Sequence, residues 1–482
     1  MRKRYSNVIL LAGWLLLTVL SCSKKPVPVF RAVDTENKKM IVLTGERTLP
    51  VNFYEADFVI LGGGLGGIAA ALSICSSGRT ALLVEETDRI AGCFSYQDTS
   101  LFSENRFVET SGTSDTYQTF RAKIREWYKN NTQTPPQLYS TLYSNMGDFG
   151  SDNFCFETEA ALDVINEMLE TIIERGKLTV IKRHKIVKVV TFSNRIASFL
   201  AVDLDNMIIN QFSSWMFIDA TRTGYLLPLT GIEYVDSRES KSDTGEPHAP
   251  EFPDTSVTDN FLYCPVIPPS GSNTEYQECY VSELQPNVPE GAGEVLKIPL
   301  NERPHRIKSL ERIVEQDISA EFQSGPRARF FRDSVGIGYN PINISTVEGN
   351  SEPLIIETLP FQIPLGALIP VQFTNFLAGG RTFGATHIAA SAYFAPSIEW
   401  AVGEAAGEAA AYCAGYKINT HELVGSPEHI RGLQDWLVIK RKVPIYWYDD
   451  VRPGEPDFSE AQLKPFDESG YHISSKTLHY RQ

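Results

Sequence analysis

Residues 57–86 read DFVILGGGLGGIAAALSICSSGRTALLVEE. A short apolar run precedes Gly62-x-Gly64-x-x-Gly67, a stretch of small residues follows, and a second apolar run ends on Glu85. In a strand–turn–helix unit the first glycine permits the tight turn, the second lets the backbone approach a diphosphate, and the third lets helix and strand pack closely. The helix N-terminus offers N–H groups to phosphates, and the acid can accept ribose hydroxyls. The stretch therefore predicts dinucleotide binding; the alternative is a βαβ unit that keeps this shape without a ligand.

The composition is typical of a globular protein that is long enough for two or three domains. The chain has 482 residues, of which 42% are hydrophobic and 21% charged. Its formal net charge of −15 argues against nucleic acid, and against an anionic membrane surface, as a partner. The seven cysteines form no C-x-x-C pair and the histidines no H-x-x-x-H motif, so we expect no metal site.

The N-terminal segment differs from the rest of the chain. Three basic residues lie within the first four positions, an apolar stretch covers Val8 to Leu20, and Cys22 follows. This order predicts a secretory signal peptide over residues 1–22, and Cys22 resembles the lipid-acceptor cysteine of bacterial lipoproteins. We therefore expect an exported protein, periplasmic or held at the outer membrane by a lipid on Cys22, with residues 23–50 as a tether. A plain signal peptide and an uncleaved anchor are the alternatives.

Hydrophobic periodicity gives a coarse map of the remaining elements. The expected helices cover 119–128, 158–175 and 396–414, and the expected strands cover 178–181, 186–192, 196–203, 208–212, 216–221 and 373–377. Residues 225–368 show no regular pattern, and residues 425–482 are too aromatic for simple disorder.

Three separated segments match one family pattern. They are Gly62–Gly67 with Glu85, the strand end FIDAT (217–221) with Gly224, and the late segment 378–387 followed by 403–407. With these motifs the chain resembles bacterial FAD-dependent oxidoreductases built on the glutathione-reductase type of flavin-binding fold. The resemblance covers roughly residues 55–95, 178–230 and 360–415.

The resemblance implies an α/β fold. It consists of a Rossmann-like FAD-binding domain, with a central parallel sheet plus a β-meander, and an inserted α+β substrate or cap domain. The domain boundaries that we expect are 51–95, 178–230 and 369–424 for the three parts of the FAD-binding domain, 96–177 for a helical insert, 231–368 for the substrate domain and 425–482 for a C-terminal extension.

The same resemblance implies FAD as the cofactor and a set of binding residues. They are Gly62, Gly64, Gly66, Gly67, Glu85, Arg89, Gly92, Ile186, Ala220, Thr221, Gly380, Arg381 and Gly403. Arg381 would serve the phosphates or the flavin ring. The chain departs from the pattern at two places. Arg222-Thr223 replaces a Gly-Asp pair, and Phe394 stands where relatives often carry an arginine.

One complete dinucleotide fingerprint suggests that an organic substrate reduces FAD directly, with oxygen, a quinone or a redox protein as the electron acceptor. A hydroxyl-bearing or amine substrate, with sugar hydroxyls as one option, then needs a general base. His387 is the first candidate; Tyr393, Glu399 and Tyr225 come after it, and a structural role for His387 is an equal alternative. Two other functions remain open, namely a flavin enzyme of net non-redox chemistry such as elimination, and a non-catalytic lipoprotein that keeps the fold for binding.

Overall fold

A central sheet flanked by helices forms the body of the protein, and smaller sheets are attached to it. The computed structural model describes residues 29–34, 36–37, 39–95, 99–101, 104–131, 154–253, 305–325, 327–344, 354–447 and 451–463. The predicted signal peptide with Cys22, the first residues of the predicted tether, and residues 254–304 and 464–482 lie outside these ranges.

The described ranges contain the following elements. The strands are β1 (Val29–Asp34), β2 (Lys39–Thr44), β3 (Pro50–Leu61), β4 (Ala81–Val84), β5 (Thr99–Leu101), β6 (Cys155–Glu157), β7 (Leu178–Ile181), β8 (His184–Phe192), β9 (Arg195–Asp203), β10 (Ile208–Asp219), β11 (Tyr234–Val235), β12 (Arg306–Ile307), β13 (Ser334–Gly338), β14 (Ile342–Ile344), β15 (Leu354–Ile356), β16 (Phe361–Pro364) and β17 (Phe376–Ala378). The α-helices are α1 (Leu65–Ser76), α2 (Asp115–Asn131), α3 (Thr158–Glu174), α4 (Leu227–Thr230), α5 (Lys241–Thr244), α6 (Glu315–Ile318), α7 (His387–Ala392), α8 (Pro396–Tyr416), α9 (Thr420–Gly425), α10 (Pro427–Trp436) and α11 (Phe458–Leu463). Short 3₁₀ turns cover Gly45–Thr48, Gly92–Phe94, Arg106–Glu109, Ala320–Phe322 and Leu365–Leu368, and a π-helical turn (Leu437–Arg441) continues α10.

The central sheet combines a parallel part and a meander. Its strand order is β7-β4-β3-β10-β9-β8, and β17 pairs with the end of β10. β7, β4, β3, β10 and β17 run parallel, whereas β10, β9 and β8 are antiparallel neighbours. β10 serves both parts because it is 12 residues long. The predicted α/β fold, a parallel sheet plus a β-meander, is confirmed.

The βαβ unit follows from two apolar runs and a helix of small residues. Phe58–Leu61 and Ala81–Val84 are buried, as expected for parallel strands that helices cover. α1 is buried along most of its length and packs against α8. Since both helices are rich in Gly and Ala on their facing surfaces, their axes can approach closely, and this close approach positions the site described below.

The segment predicted as a tether, 23–50, is folded over much of its length. β1 and β2 form an antiparallel hairpin, and Ile41 and Leu43 pack against Leu200 of the meander. The tether prediction is therefore wrong for residues 29–50. The physical reason is the run of four apolar residues in KMIVLT: in a strand every second one, Ile41 and Leu43, faces the sheet and is buried, while Met40 and Val42 point away.

Several predicted elements shift in extent. The helix expected over 119–128 is longer at both ends, and the one expected to end at 175 ends at Glu174. The strands expected over 208–212 and 216–221 are one continuous strand, β10, because β3 pairs with it along its length.

The outer parts of the molecule are built differently from the sheet. Residues 231–368, where they are described, contain short helices and the two-stranded pairs β11–β12, β13–β16 and β14–β15. The C-terminal extension docks on α8 through the buried carboxylate of Glu408. Trp436 donates its indole N–H to Oε2 of Glu408 at 2.7 Å, and Nε of Arg441 lies 2.6 Å from Oε1.

Candidate cofactor site

The glycine turn after β3 closes against the end of β10. Gly62 has φ +100°, a conformation that favours glycine, and its N–H donates to the carbonyl of Val84 at 2.8 Å. A Cβ atom on Gly62 would lie less than 3.0 Å from the carbonyl of Ala220. The tight turn expected at Gly62 is therefore present, and it brings two of the predicted segments together.

Glycines also allow α1, α8 and the residues after β17 to meet backbone to backbone. A Cβ on Gly66 would lie under 3.0 Å from the carbonyl oxygen of Gly379, and one on Gly403 would lie equally close to that of Gly66. Gly67 has the same relation to the carbonyl of Gly62. All three predicted segments therefore converge on the N-terminus of α1, where Gly64 is the N-cap.

Glu85 lies at the end of β4 with its carboxylate turned back to the glycine turn. Oε2 accepts the N–H of Gly63 at 2.6 Å, and Oε1 accepts the N–H and the hydroxyl of Thr87 at 2.9 and 2.8 Å. Burial raises the pKa of Glu85 to about 7, with the neighbouring Glu86 adding to the increase. Among the described residues Oε2 accepts only one hydrogen bond and has a second lone pair, so Glu85 can still accept a ribose hydroxyl at this oxygen.

The turn after Glu85 folds back over the glycines. The N–H of Ala91 donates to the carbonyl of Gly63 at 2.8 Å, and a Cβ on Gly92 would lie 3.1 Å from the Cα of Gly64. The guanidinium of Arg89 is partly exposed and donates to the carbonyl of Ser95 at 3.2 Å. Gly92 thus lies at the site itself, whereas Arg89 lies on its outer rim.

Ile186 lies at the same end of the site as Glu85. Its N–H donates to the hydroxyl of Tyr225 at 3.4 Å, and the ammonium of Lys185 lies 3.5 Å from the centre of the Tyr225 ring. The N–H of His184 donates to the backbone carbonyl of Glu85 at 2.9 Å. Tyr225, a secondary candidate for the catalytic base, is therefore on the Glu85 side.

A buried carboxylate terminates β10. Oδ1 of Asp219 accepts the N–H and the hydroxyl of Thr221 at 2.9 and 2.7 Å, while Oδ2 is buried and has no hydrogen-bond partner among the described residues. Burial raises the pKa of Asp219 to about 7. A Cβ on Gly380 would lie 3.3 Å from the Cα of Ala220, so both residues lie next to this strand end.

Arg381 and Glu399 form an ion pair at the start of α8. Nε of Arg381 lies 2.8 Å from Oε2 of Glu399, and its guanidinium carbon is 5.0 Å from the centre of the Phe394 ring. Oε1 of Glu399 lies 3.3 Å from the position of a Cβ on Gly64. Glu399 was expected only as a secondary base, yet it faces the glycine turn. Its spacing of one helical turn before Gly403 is the sequence signal for this position.

His387, the first candidate for the base, opens α7 and is buried. Its backbone N–H donates to Oε2 of Glu239 at 2.9 Å, and the guanidinium of Arg306 donates to the same oxygen at 2.9 Å. Tyr393, at the other end of α7, donates its hydroxyl to the carbonyl of Gln362 at 2.9 Å. His387 thus lies where the late predicted segment, 378–387, meets residues 231–368.

Metal clusters and membrane-spanning helices are both absent from the described residues. No group of three or more His, Cys, Asp or Glu side chains there is arranged to bind a metal ion. None of the helices within the same ranges combines the length and the apolar character needed to span a bilayer.

A family model for FAD dependent oxidoreductases matches residues 57–290 and 304–437. The chain belongs to this FAD dependent oxidoreductase family. The match covers every predicted cofactor residue, and FAD is the cofactor of this family. A comparison with curated proteins returns no match.

Similar solved structures include three dehydrogenases. They are an L-proline dehydrogenase from P. horikoshii (14% identity, TM-score 0.20, 35% of this chain and 23% of that chain), a glycerol-3-phosphate dehydrogenase from Bacillus halodurans complexed with FAD (15%, 0.22, 35% and 34%), and a 3-ketosteroid-delta4-(5alpha)-dehydrogenase from Rhodococcus jostii (15%, 0.22, 35% and 46%). The chain spans less than half the length of each of these structures.

The residues present fit FAD. A side chain at Gly62, Gly66 or Gly403 would collide with neighbouring backbone, so these glycines let the segments meet at the N-terminus of α1. The first N–H groups of α1 have no partner within the helix. These N–H groups would hold the diphosphate, while Glu85 would accept a ribose hydroxyl. The partnerless oxygen of Asp219 offers one more acceptor for a hydroxyl or ring N–H of the cofactor.

Proposed function

We propose that this protein is an exported flavoprotein dehydrogenase or oxidase that acts on a small organic molecule with a hydroxyl or amine group. When bound, FAD supplies the acceptor, at its N5 atom, for a hydride from a C–H bond of the substrate. The hydroxyl or amine proton goes to a base of the protein, the substrate becomes a carbonyl or imine, and oxygen, a quinone or a redox protein takes the two electrons.

One observation carries this proposal: the described residues contain a single site of the dinucleotide-binding type. It lies at the glycine turn and the N-terminus of α1, and we call it the cradle. The parallel sheet carries the glycine turn of Gly62–Gly67, and the other sheets in the described ranges have only two strands each. A reductase that draws electrons from a nicotinamide cofactor commonly provides a second nucleotide fold. A single cradle therefore favours reduction of FAD by the organic substrate itself.

The start of α8 is the part of the protein that we expect beneath the flavin ring. Its N-terminal N–H groups carry partial positive charge, and Arg381 adds a full cation that Glu399 holds in place at 2.8 Å. The helix N-terminus favours negative charge nearby, and the guanidinium of Arg381 can donate hydrogen bonds to it while Glu399 balances the charge of the arginine. We propose that the helix N-terminus and Arg381 favour the reduced, anionic state of the cofactor and thereby assist hydride removal from the substrate.

His387 is the group that we propose as the proton acceptor. It follows the segment 378–386, which runs from β17 past the glycine turn to α7, and Glu239 lies next to it. A carboxylate beside a histidine stabilises the imidazolium that forms when the ring takes a proton. We expect His387→Gln to retain FAD and to slow substrate reduction of the flavin by about 10²–10⁴-fold.

An anaerobic bleaching screen tests the redox function. The purified protein, with its flavin spectrum recorded, is mixed with sugars, polyols, amines and hydroxy acids in separate cuvettes without oxygen. We expect one class to bleach the flavin without any nicotinamide cofactor. Bleaching by NADH or NADPH alone contradicts direct reduction, and turnover of a substrate without bleaching at any stage favours net non-redox chemistry. A protein that binds no FAD on reconstitution contradicts both.

The cell-envelope location is part of the same proposal. It rests on the basic start, the apolar stretch and Cys22 of the leader. Mass spectrometry of the mature protein from membranes checks it. Acylation at Cys22 adds the mass of the lipid, and cleavage before Cys22 removes residues 1–21. A mature chain that keeps its leader, or a chain recovered unmodified from the cytoplasm, contradicts this location.

A further inference from the structure

The exposed apolar side chains of the described residues are concentrated near the N-terminus. Of the large hydrophobic residues that are exposed, a third lie between residues 29 and 53; they are Val29, Met40, Val42, Leu49, Val51 and Phe53. Single exposed apolar residues are ordinary on protein surfaces, but a cluster marks an interaction surface. This cluster lies at the opposite end of β3 from the glycine turn.

The β1–β2 hairpin presents three of these side chains on one face, namely those of Val29, Met40 and Val42. In the register of the hairpin, Val29 pairs with Thr44 and Arg31 pairs with Val42, so paired residues share a face. Ile41 points the other way and packs against the meander. The outward face is therefore apolar with an arginine in its middle, and Val29 and Val42 on it are each 47% exposed.

Phe53 lies on the same side of the central sheet as the hairpin. It pairs with Gln211 of β10, which in turn pairs with Leu200 of β9. Leu200 contacts the inner face of the hairpin, so Phe53 lies on the sheet face that carries the hairpin. Its side chain is 71% exposed, and Met40 at the hairpin is 63% exposed. We call Val29, Met40, Val42 and Phe53 the hairpin patch.

The sequence segment that contains Val29, Met40 and Val42 differs in net charge from the whole chain. Residues 23–50 contain six Lys or Arg and three Asp or Glu, in a chain whose net charge is −15. The whole-chain charge disfavours an anionic membrane surface, but this segment is locally cationic. Apolar side chains next to basic ones are the composition of surfaces that sit at a lipid interface.

The distance along the chain to the proposed anchor is short. Val29 follows Cys22 by seven positions, a stretch that extends over at most about 25 Å. A lipid on Cys22 therefore confines the hairpin patch to the vicinity of the bilayer. We propose that the hairpin patch docks on the phospholipid surface and orients the enzyme on the membrane. This inference rests on the lipid-anchored location proposed above.

Vesicle binding of the chain without its lipid tests the docking separately from the anchor. The chain from Ser23 to Gln482 is mixed with vesicles of phosphatidylethanolamine and phosphatidylglycerol, and in parallel with phosphatidylcholine vesicles, and binding is measured by sedimentation. The patch variant combines Met40→Ser, Val42→Ser and Phe53→Ser. The matched control is Phe192→Ser, because Phe192 is 81% exposed and lies at the far end of β8.

We expect the unmodified chain to bind the anionic vesicles, the patch variant to bind at least about tenfold more weakly, and Phe192→Ser to bind normally. Bound FAD shows that each variant is folded, since the hairpin patch lies away from the glycine turn. Equal binding of the patch variant and the unmodified chain overturns the inference. So does a dimer of the unmodified chain that the patch variant abolishes, because the patch then covers a second copy. The mass of the mature protein tests the anchor independently.

Discussion

The cofactor cradle and the region around α7 are held together by different kinds of contact. We propose that the region around α7 faces the substrate, and we call it the substrate-facing region. In the cradle, Gly62, Gly66 and Gly403 bring backbones together with no space for a Cβ. Around α7, long side chains from distant positions meet in the interior: Arg306 pairs with Glu239 at 2.9 Å, and Thr386 donates to Glu246. In the first region the available volume limits which side chains fit, and in the second the balance of buried charge does. Different substitutions should therefore disrupt each.

We expect the largest effect from the addition of a single methyl group in the cradle. In Gly403→Ala the added Cβ would lie under 3.0 Å from the carbonyl oxygen of Gly66, so α1 and α8 must move apart. We expect a loss of at least about 3 kcal/mol in the free energy of unfolding and little bound FAD. Urea unfolding and the flavin absorbance of the purified protein measure both quantities.

Gly415→Ala is the matched control because Gly415 lies in the same helix with open space around its Cβ position. It should retain FAD and gain stability, since alanine favours a helix by about 1 kcal/mol over glycine. If both variants behave alike, the contact between α1 and α8 does not limit the cradle.

The second effect concerns charge in the substrate-facing region. Arg306→Met leaves the buried carboxylate of Glu239 with Arg312, which lies 2.9 Å away and is partly exposed. Removing one partner of a buried pair costs roughly 3–5 kcal/mol; with Arg312 still present we expect about 2 kcal/mol. FAD content at low temperature should be unchanged, as shown by flavin absorbance.

The double variant Arg306→Met with Glu239→Gln separates charge from packing. Because it removes the buried carboxylate as well, we expect it to be more stable than Arg306→Met alone in the same urea titration. A double variant that is less stable than the single one means that packing, not the unpaired charge, dominates this region.

These two kinds of contact explain what the sequence could predict. The turn needs glycine at position 62 because of its positive φ, and the helix contact needs glycine at position 403. Both requirements are visible in the sequence as single residues at fixed spacing. The α/β fold and the convergence of the three segments were therefore predictable. The pairing of Glu239 with Arg306, 67 positions apart, has no local signal, so residues 231–368 could not be interpreted.

Two other features escaped sequence interpretation for more local reasons. The β2 strand is a run of apolar residues, Met40–Leu43, but the basic and proline-containing start of residues 23–50 is equally typical of a tether. Glu399 lies in the first turn of α8, where an acid is favoured by the helix dipole alone, so its orientation toward the glycine turn could not be inferred.

The third effect concerns affinity within the cradle. Glu85→Gln replaces a carboxylate oxygen with an NH₂ group that must face either the N–H of Gly63 or that of Thr87, both of which donate to Glu85 now. It also weakens the acceptor for ribose. We expect the Kd for FAD to rise at least about tenfold, or about 1.4 kcal/mol, by fluorescence titration of the apoprotein.

Glu86→Gln is its control, since Glu86 pairs with Lys185 at the periphery of the site. Unchanged FAD affinity in Glu85→Gln would mean that the carboxylate only shapes the turn. An equal loss in both variants would mean that net charge near the adenosine end, rather than the position of Glu85, sets the affinity.

The smallest effect is a pH dependence that arises from the same buried acids. Burial raises the pKa of Asp219 and of Glu85 to about 7, whereas an unfolded carboxyl group titrates near 4. Between these values the folded apoprotein holds protons that the unfolded chain has released, so its stability must fall as the pH rises. Each group contributes about 1 kcal/mol to the loss between pH 6 and pH 8. Thermal unfolding of the apoprotein across this range measures the slope.

Asp219→Asn should remove one of these contributions and flatten the slope by about 1 kcal/mol, because an amide does not titrate. The substrate-facing region provides the contrast: nearby cations, Arg306 foremost, outweigh burial and lower the pKa of Glu239. Its stabilising contribution is lost only when the pH falls into the acid range. Glu239→Gln should therefore leave the slope between pH 6 and pH 8 unchanged. If Glu239→Gln flattens it and Asp219→Asn does not, the buried charge that limits stability near neutral pH lies outside the cradle, and the comparison of the two regions is reversed.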